Sequence, residues 1–152
     1  MPDSATQSQH HHVSIVRTFD APREQVWQAW TEPAQVAEWW GPDEFETPLD
    51  SVIIEPYAGG RYHLLMVDTR SGEEFPTHQE IVEISPPELL VLRMEAMPEH
   101  GLLEPIVARV ELHEQDGGTR LEVSGGPYTG EMGKMAEMGW NQQLDKLVRR
   151  LG

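Results

Sequence analysis

Residues 129–151, TGEMGKMAEMGWNQQLDKLVRRL, decide the fold. Met132, Ala136, Trp140, Leu144, Leu147 and Leu151 recur every three or four residues, with Met135 and Gly139 beside them. That period describes a helix of roughly six turns with one apolar stripe. Gly130, Gly133 and Gly139 each weaken a helix by about 1 kcal/mol relative to Ala, so its first half is expected to be looser than its second. The stripe must be buried against another layer.

The preceding sequence supplies that layer. Val13 to Asp20 alternates as a strand. Ala21-Pro22 opens a short helix whose apolar face carries Val26, Trp27 and Trp30, with Pro22 suited to the first helical position. Pro33 interrupts it, and a second short helix runs from Pro33 to Trp39 before the stop signal Trp40-Gly41-Pro42. Strands are then expected at 49–56, 61–68, 75–84, 89–97, 105–113 and 119–124. Gly59-Gly60, Ser71-Gly72, Pro86-Pro87 and Asp116-Gly117-Gly118 punctuate them, and the glycine pair Gly125-Gly126 is also read as a turn. About seven strands in a meander cannot close over their own core, so the terminal helix must cover one face. The expected class is α+β, a curved antiparallel sheet wrapped on a long C-terminal helix, with two short helices after strand 1. Residues 1–12, rich in Ser, Gln and His, are expected to be a disordered leader to a single domain over 13–152.

Composition narrows the function. Acidic residues number 26 against 11 basic ones, a formal net charge of −15. Such a chain repels phosphate backbones and anionic membrane surfaces, so neither nucleic acid nor membrane is an expected partner. The absence of cysteine removes disulfides, thiolate metal sites and thiol nucleophiles. No apolar run exceeds four residues, and the N-terminus lacks the apolar stretch of a signal peptide. A cytoplasmic location is the default. No phosphate-binding Gly-rich loop with Lys-Ser/Thr, no His-Glu-x-x-His and no Gly-x-Ser-x-Gly is present.

The candidate site residues come from three places. Trp40, in the Trp39-Trp40 pair, is read as a wall of a ligand cavity, with core packing as the alternative. The hairpin around Ser71-Gly72 is read with a three-residue loop, which sets Tyr62 opposite Glu80 and Leu64 opposite His78. Tyr62, Leu64, Met66, His78, Glu80 and Val82 then share the concave face. His78 and Glu80, two residues apart, are expected either to hold a polar ligand group or to act as an acid/base pair, with both solvated at the sheet rim as the alternative. They would supply only two metal ligands, and no metal or cofactor is expected. Met132, Met135 and Gly139 at the start of the last helix suit an adaptable apolar pocket, with Met138 off the stripe and exposed.

Taken together, Arg17-Thr18-Phe19-Asp20-Ala21-Pro22, Val26-Trp27, Trp30-Thr31, Pro33 and Trp39-Trp40-Gly41-Pro42 resemble the opening of a known family. Pro56, Gly59-Gly60-Arg61-Tyr62, Val82-Glu83-Ile84, Pro86-Pro87, Leu89, Gly117-Gly118-Thr119 and Gly139-Trp140 with Leu144 and Leu147 continue the resemblance. The sequence is similar, over about residues 13 to 151, to the heat-shock protein 90 ATPase activator-like family of the START-like helix-grip (SRPBCC) superfamily. The resemblance implies the helix-grip fold and a small hydrophobic ligand between sheet and terminal helix. It also implies a link to stress response and to a chaperone partner. The leading expectation is a noncatalytic binding module for a small hydrophobic or aromatic molecule, as a monomer or homodimer. The alternatives are an interaction protein that activates a chaperone ATPase, and a cofactor-free cyclase or dehydratase using His78 or Glu80 as general base.

Overall fold

A computed structural model describes residues 11–100, 104–128 and 130–151. The first ten residues, which carry most of the expected leader, lie outside the described residues. Strand β1 (His11–Phe19) starts two residues before Val13, where the strand was expected to begin. Helices α1 (Arg23–Thr31) and α2 (Pro33–Trp39) follow. Next come β2 (Phe45–Glu46), a single 3-10 turn at Leu49–Ser51, and β3 (Ile53–Ile54). The remaining strands are β4 (Arg61–Asp68), β5 (Glu74–Ser85), β6 (Leu89–Met94), β7 (Ile106–Gln115) and β8 (Gly118–Tyr128), and helix α3 (Gly130–Leu151) ends the chain. The fold is the expected helix-grip: one antiparallel sheet in the order β1-β8-β7-β6-β5-β4-β2, with β3 also on β4, curved around α3.

Sequence punctuation explains most boundaries. Pro22 is the N-cap of α1 rather than its first residue, and its carbonyl accepts from the Gln25 and Val26 amides. Pro33 holds Glu32 in an extended conformation, which ends α1 and starts α2 one residue later. Asp116 and Gly117 both take positive φ and make a two-residue turn joining β7 to β8, with Gln115 facing Gly118. The segment expected as one strand over 49–56 is instead the 3-10 turn and two-residue β3. Together with β2 this raises the strand count to eight. Gly125-Gly126 is not a turn: it lies inside β8, where Gly125 pairs with both Val13 and Ala108. No described helix is long and apolar enough to cross a membrane.

The β4–β5 hairpin corrects the expected register. Tyr62 faces Gln79, His63 faces His78 and Leu64 faces Thr77. The loop has four residues, not three, because the Asp68 carboxylate accepts the Arg70 amide at 2.8 Å and folds the chain into an extra turn. Gly72, at φ +77°, then donates its amide to the Asp68 carbonyl at 2.7 Å. One added residue moves every β5 side chain to the other face. His78 and Glu80 therefore lie on the convex side, exposed, and Thr77, Gln79 and Ile81 face α3. The same register leaves Val82 outside with His78 and Glu80, 47% exposed, and a bulge between Ile81 and Glu83 then turns Ile84 back to the core.

The core lies between sheet and helices, around Trp30. Its ring stacks on Trp140 at 6.0 Å and meets Trp39 and Trp40 edge-on at 4.8 and 6.1 Å. Trp39 donates its indole N–H to the Ala29 carbonyl, and the Tyr62 hydroxyl donates to the Trp30 carbonyl at 2.5 Å. Both bonds satisfy carbonyls near the end of α1 that have no partner within the helix. The second half of α3 buries Leu144 and Leu147 completely, whereas its first half leaves Met135 and Met138 more than 60% exposed. Packing thus divides the helix as its glycines do.

Candidate functional site

The chain between α2 and β2 is fastened to α3 by side chains of the helix. Gln143 accepts the Gly41 amide at 2.9 Å, Gln142 accepts the Asp43 amide at 3.0 Å, and Lys146 donates to the Pro42 and Phe45 carbonyls. On the opposite side of the helix, Arg17 of β1 donates to Asn141 at 2.6 Å. The second half of α3 is thereby held over the sheet at both flanks. A cavity of about 300 Å³ remains under the first half.

Its sheet wall carries Met66 of β4, Thr77 and Gln79 of β5, Met94 of β6, and Ile106 and Ala108 of β7. Trp40 and Pro42 close one side. The helix contributes Met132, Met135, Ala136, Gly139, Trp140 and Gln143. Of the expected site residues, Trp40, Met66, Met132, Met135 and Gly139 therefore meet around one cavity. Tyr62 and Leu64 share the concave face but are buried in the core beside it, and burial pushes the Tyr62 phenol far up. Gly139 does not approach the sheet; a side chain there would meet Pro42 first, at 3.4 Å. Of the two tryptophans, Trp39 packs the core while Trp40 both packs and lines.

The cavity is mostly apolar, and among the described residues no charged side chain lines it. Tyr128 also lines it, and burial raises its phenol above the ordinary range, with the Trp140 indole opposing, so it stays neutral. Gln79 differs from its neighbours. Its amide nitrogen is buried and has no hydrogen-bond partner in the protein, an arrangement that costs about 1–3 kcal/mol. Cross-strand from Gln79 stand Tyr62 and Met94. Reading the sequence missed Thr77, Gln79, Met94, Ile106, Ala108 and Tyr128 on the sheet side, and Pro42, Ala136, Trp140 and Gln143 on the helix side. Thr77 and Gln79 were legible only with the right register, as polar residues alternating into an apolar wall.

His78 and Glu80 have no part in this cavity, so the acid/base pair expected on the inner wall is not there. On the convex face the His63 and His78 rings stack at 4.4 Å, with Arg61 opposite Glu80 and bonded to Glu55. Among the described residues no three His, Asp or Glu side chains group as a metal site would require. His63 is held below its ordinary value of 6.5, first by partial burial, then by His78 and the Arg61 cation, with Glu55 opposing. The unfolded chain takes up this proton more readily than the fold. The site therefore contributes stability above the unfolded value of about 6.5 and loses it as pH falls through the lower folded one. Between about pH 7.5 and about pH 5.5, the thermal midpoint should fall further in the wild type than in His63→Gln. Parallel pH profiles for the two proteins would remove this contribution.

The family described as Activator of Hsp90 ATPase homolog 1-like protein matches over residues 20–152. No curated protein matches the chain. Solved structures do. A protein from Chromobacterium violaceum is 20% identical with a TM-score of 0.82, over 92% of this chain and 96% of that one. The AHSA1 protein from Silicibacter pomeroyi is 20% identical with a TM-score of 0.76, over 93% and 97%. An AHSA1-like protein from Aeromonas hydrophila is 21% identical with a TM-score of 0.77, over 91% and 90%. At these identities the structural likeness establishes the fold.

Proposed function

We propose, from the premise that this chain belongs to the Activator of Hsp90 ATPase homolog 1-like family, that it is a binding module for a small hydrophobic or aromatic molecule and carries out no catalysis. The observation that carries this reading is the cavity of about 300 Å³ between the sheet and the first half of α3. Its size is that of a small-ligand pocket, and its lining is the apolar kind such pockets have. Met66, Met94, Met132 and Met135 surround it, and methionine adapts to the shape of what it touches. The half of α3 that covers it has the glycines and the exposed residues, which suits entry from that side.

Native mass spectrometry of freshly purified protein, followed by thermal shift against naphthalene derivatives and medium-chain alcohols, tests the reading. A ligand at 100 times its dissociation constant adds about 2.7 kcal/mol, which should raise the midpoint by roughly 5–10 °C for a domain of this size. No bound mass and no shift across the panel would overturn it. A second reading is an interaction protein that stimulates a chaperone ATPase in the cytoplasm. The family description supports it, and the net charge of −15 suits a basic patch on a partner. Unchanged ATPase turnover of the cognate chaperone on adding this protein would dismiss it.

A further inference from the structure

We propose that Met135 is an oxidation site at the mouth of the cavity: a peroxide converts its thioether to the sulfoxide, and the sulfoxide weakens the hold of the cavity on apolar ligands. The effect on binding rests on the cavity reading above. Met135 and Met138 are 62% and 61% exposed, whereas Met66, Met94, Met97 and Met132 are all partly buried. An oxidant in water reaches exposed sulfur first. Met135 and Met138 should therefore react ahead of the other described methionines, and at similar rates. Only one of the two bears on the cavity. Met135 lines it and Met138 does not. A side chain that is mostly exposed and also lines a cavity stands at its opening.

The reaction needs only hydrogen peroxide. The sulfur lone pair attacks one peroxide oxygen, the O–O bond breaks, an S–O bond forms and water leaves. Sulfur gives up two electrons and the peroxide takes them. The product is polar where the thioether was apolar. Turned inward, the new oxygen gives up water for a mostly apolar lining. Turned outward, it withdraws the methionine methyl from the ligand. Both orientations cost apolar contact. The fold itself is little affected, because Leu144 and Leu147, buried completely, hold the other half of α3.

The test treats the full chain with hydrogen peroxide, removes the oxidant and maps the product by peptide mass spectrometry. Met135 and Met138 should gain oxygen before Met66, Met94 and Met132. Affinity for isopropenylnaphthalene is then measured. Oxidation should lower it about fivefold in the wild type, the lower end of what burying an unpaired polar group costs. Met138→Leu should lose as much as the wild type, and Met135→Leu should lose nothing. Methionine sulfoxide reductases for both epimers, supplied with a dithiol, should restore the wild-type affinity. Met135→Gln gives the same readout without oxidant: it should bind the probe more weakly, while Met138→Gln should bind as the wild type does.

Oxidation of Met66 or Met94 ahead of Met135 would overturn the inference. So would unchanged affinity in a wild type oxidised at Met135, or an equal loss in Met135→Leu, and in each of these cases the cavity reading stands. If the untreated protein does not bind the probe, the cavity reading is lost and the inference with it.

Discussion

Replacing Trp30 with alanine is expected to destabilise the protein by about 3–5 kcal/mol, the range for removing a buried tryptophan side chain. For a domain of this length that lowers the thermal midpoint by on the order of 10 °C. The reason is position. Trp30 is 1% exposed and touches Trp39, Trp40 and Trp140, so three segments of the chain meet on one ring. Its indole N–H has no hydrogen-bond partner, so the loss is one of packing rather than hydrogen bonding. Trp30→Phe keeps a ring in place and should cost less. Trp27, half-buried on the same helix, supplies the control: Trp27→Ala should fall well short of Trp30→Ala. Urea denaturation of the three variants checks the ranking. A loss below about 1 kcal/mol for Trp30→Ala would mean that the cluster repacks freely and does not hold α1, α2 and α3 together.

The second large effect concerns binding. Ala136→Phe should lower the affinity for isopropenylnaphthalene at least tenfold while leaving the fold intact. Ala136 lies one helical turn before Trp140 and lines the cavity, so an added ring enters the space of about 300 Å³ that a ligand would fill. Ala and Phe differ little in how an exposed helix tolerates them, roughly half a kcal/mol, and the new ring gains apolar contact where it enters. The thermal midpoint without ligand should therefore change by only a few degrees. Affinity measured by titration calorimetry, beside that midpoint, separates the two quantities. Retained binding in a well-folded Ala136→Phe would place the ligand somewhere other than this cavity.

The elements whose limits follow from local chemistry were legible in advance. Pro22 and Pro33 frame α1 and α2 because proline sets its own φ and restricts the residue before it. Arg61–Asp68 was read residue for residue as β4, and the period of α3 was read to within a residue at its start. The register of β5 was not. It depends on a loop length that the Asp68 carboxylate sets through hydrogen bonds to the Arg70 and Ser71 amides, and a difference of one residue reverses the strand. His78 and Glu80 attracted attention through their chemistry, and Gln79 between them did not. The bulge at Val82 likewise interrupts an alternation that the sequence shows as regular.

By itself, the sequence determined the layers of this protein: a strand, two short helices, a meander and a long amphipathic helix that had to cover it. It also determined the net charge of −15, the basis for expecting neither nucleic acid nor an anionic membrane as partner. Those properties are local or additive, and period, proline, glycine and net charge report them directly. Only the tertiary structure decided which face of β5 looks inward, and so whether a His–Glu pair or an unpartnered glutamine stands in the cavity wall. That choice is made where strands from distant parts of the chain come into register, and a single side chain at the hairpin turn is enough to shift it.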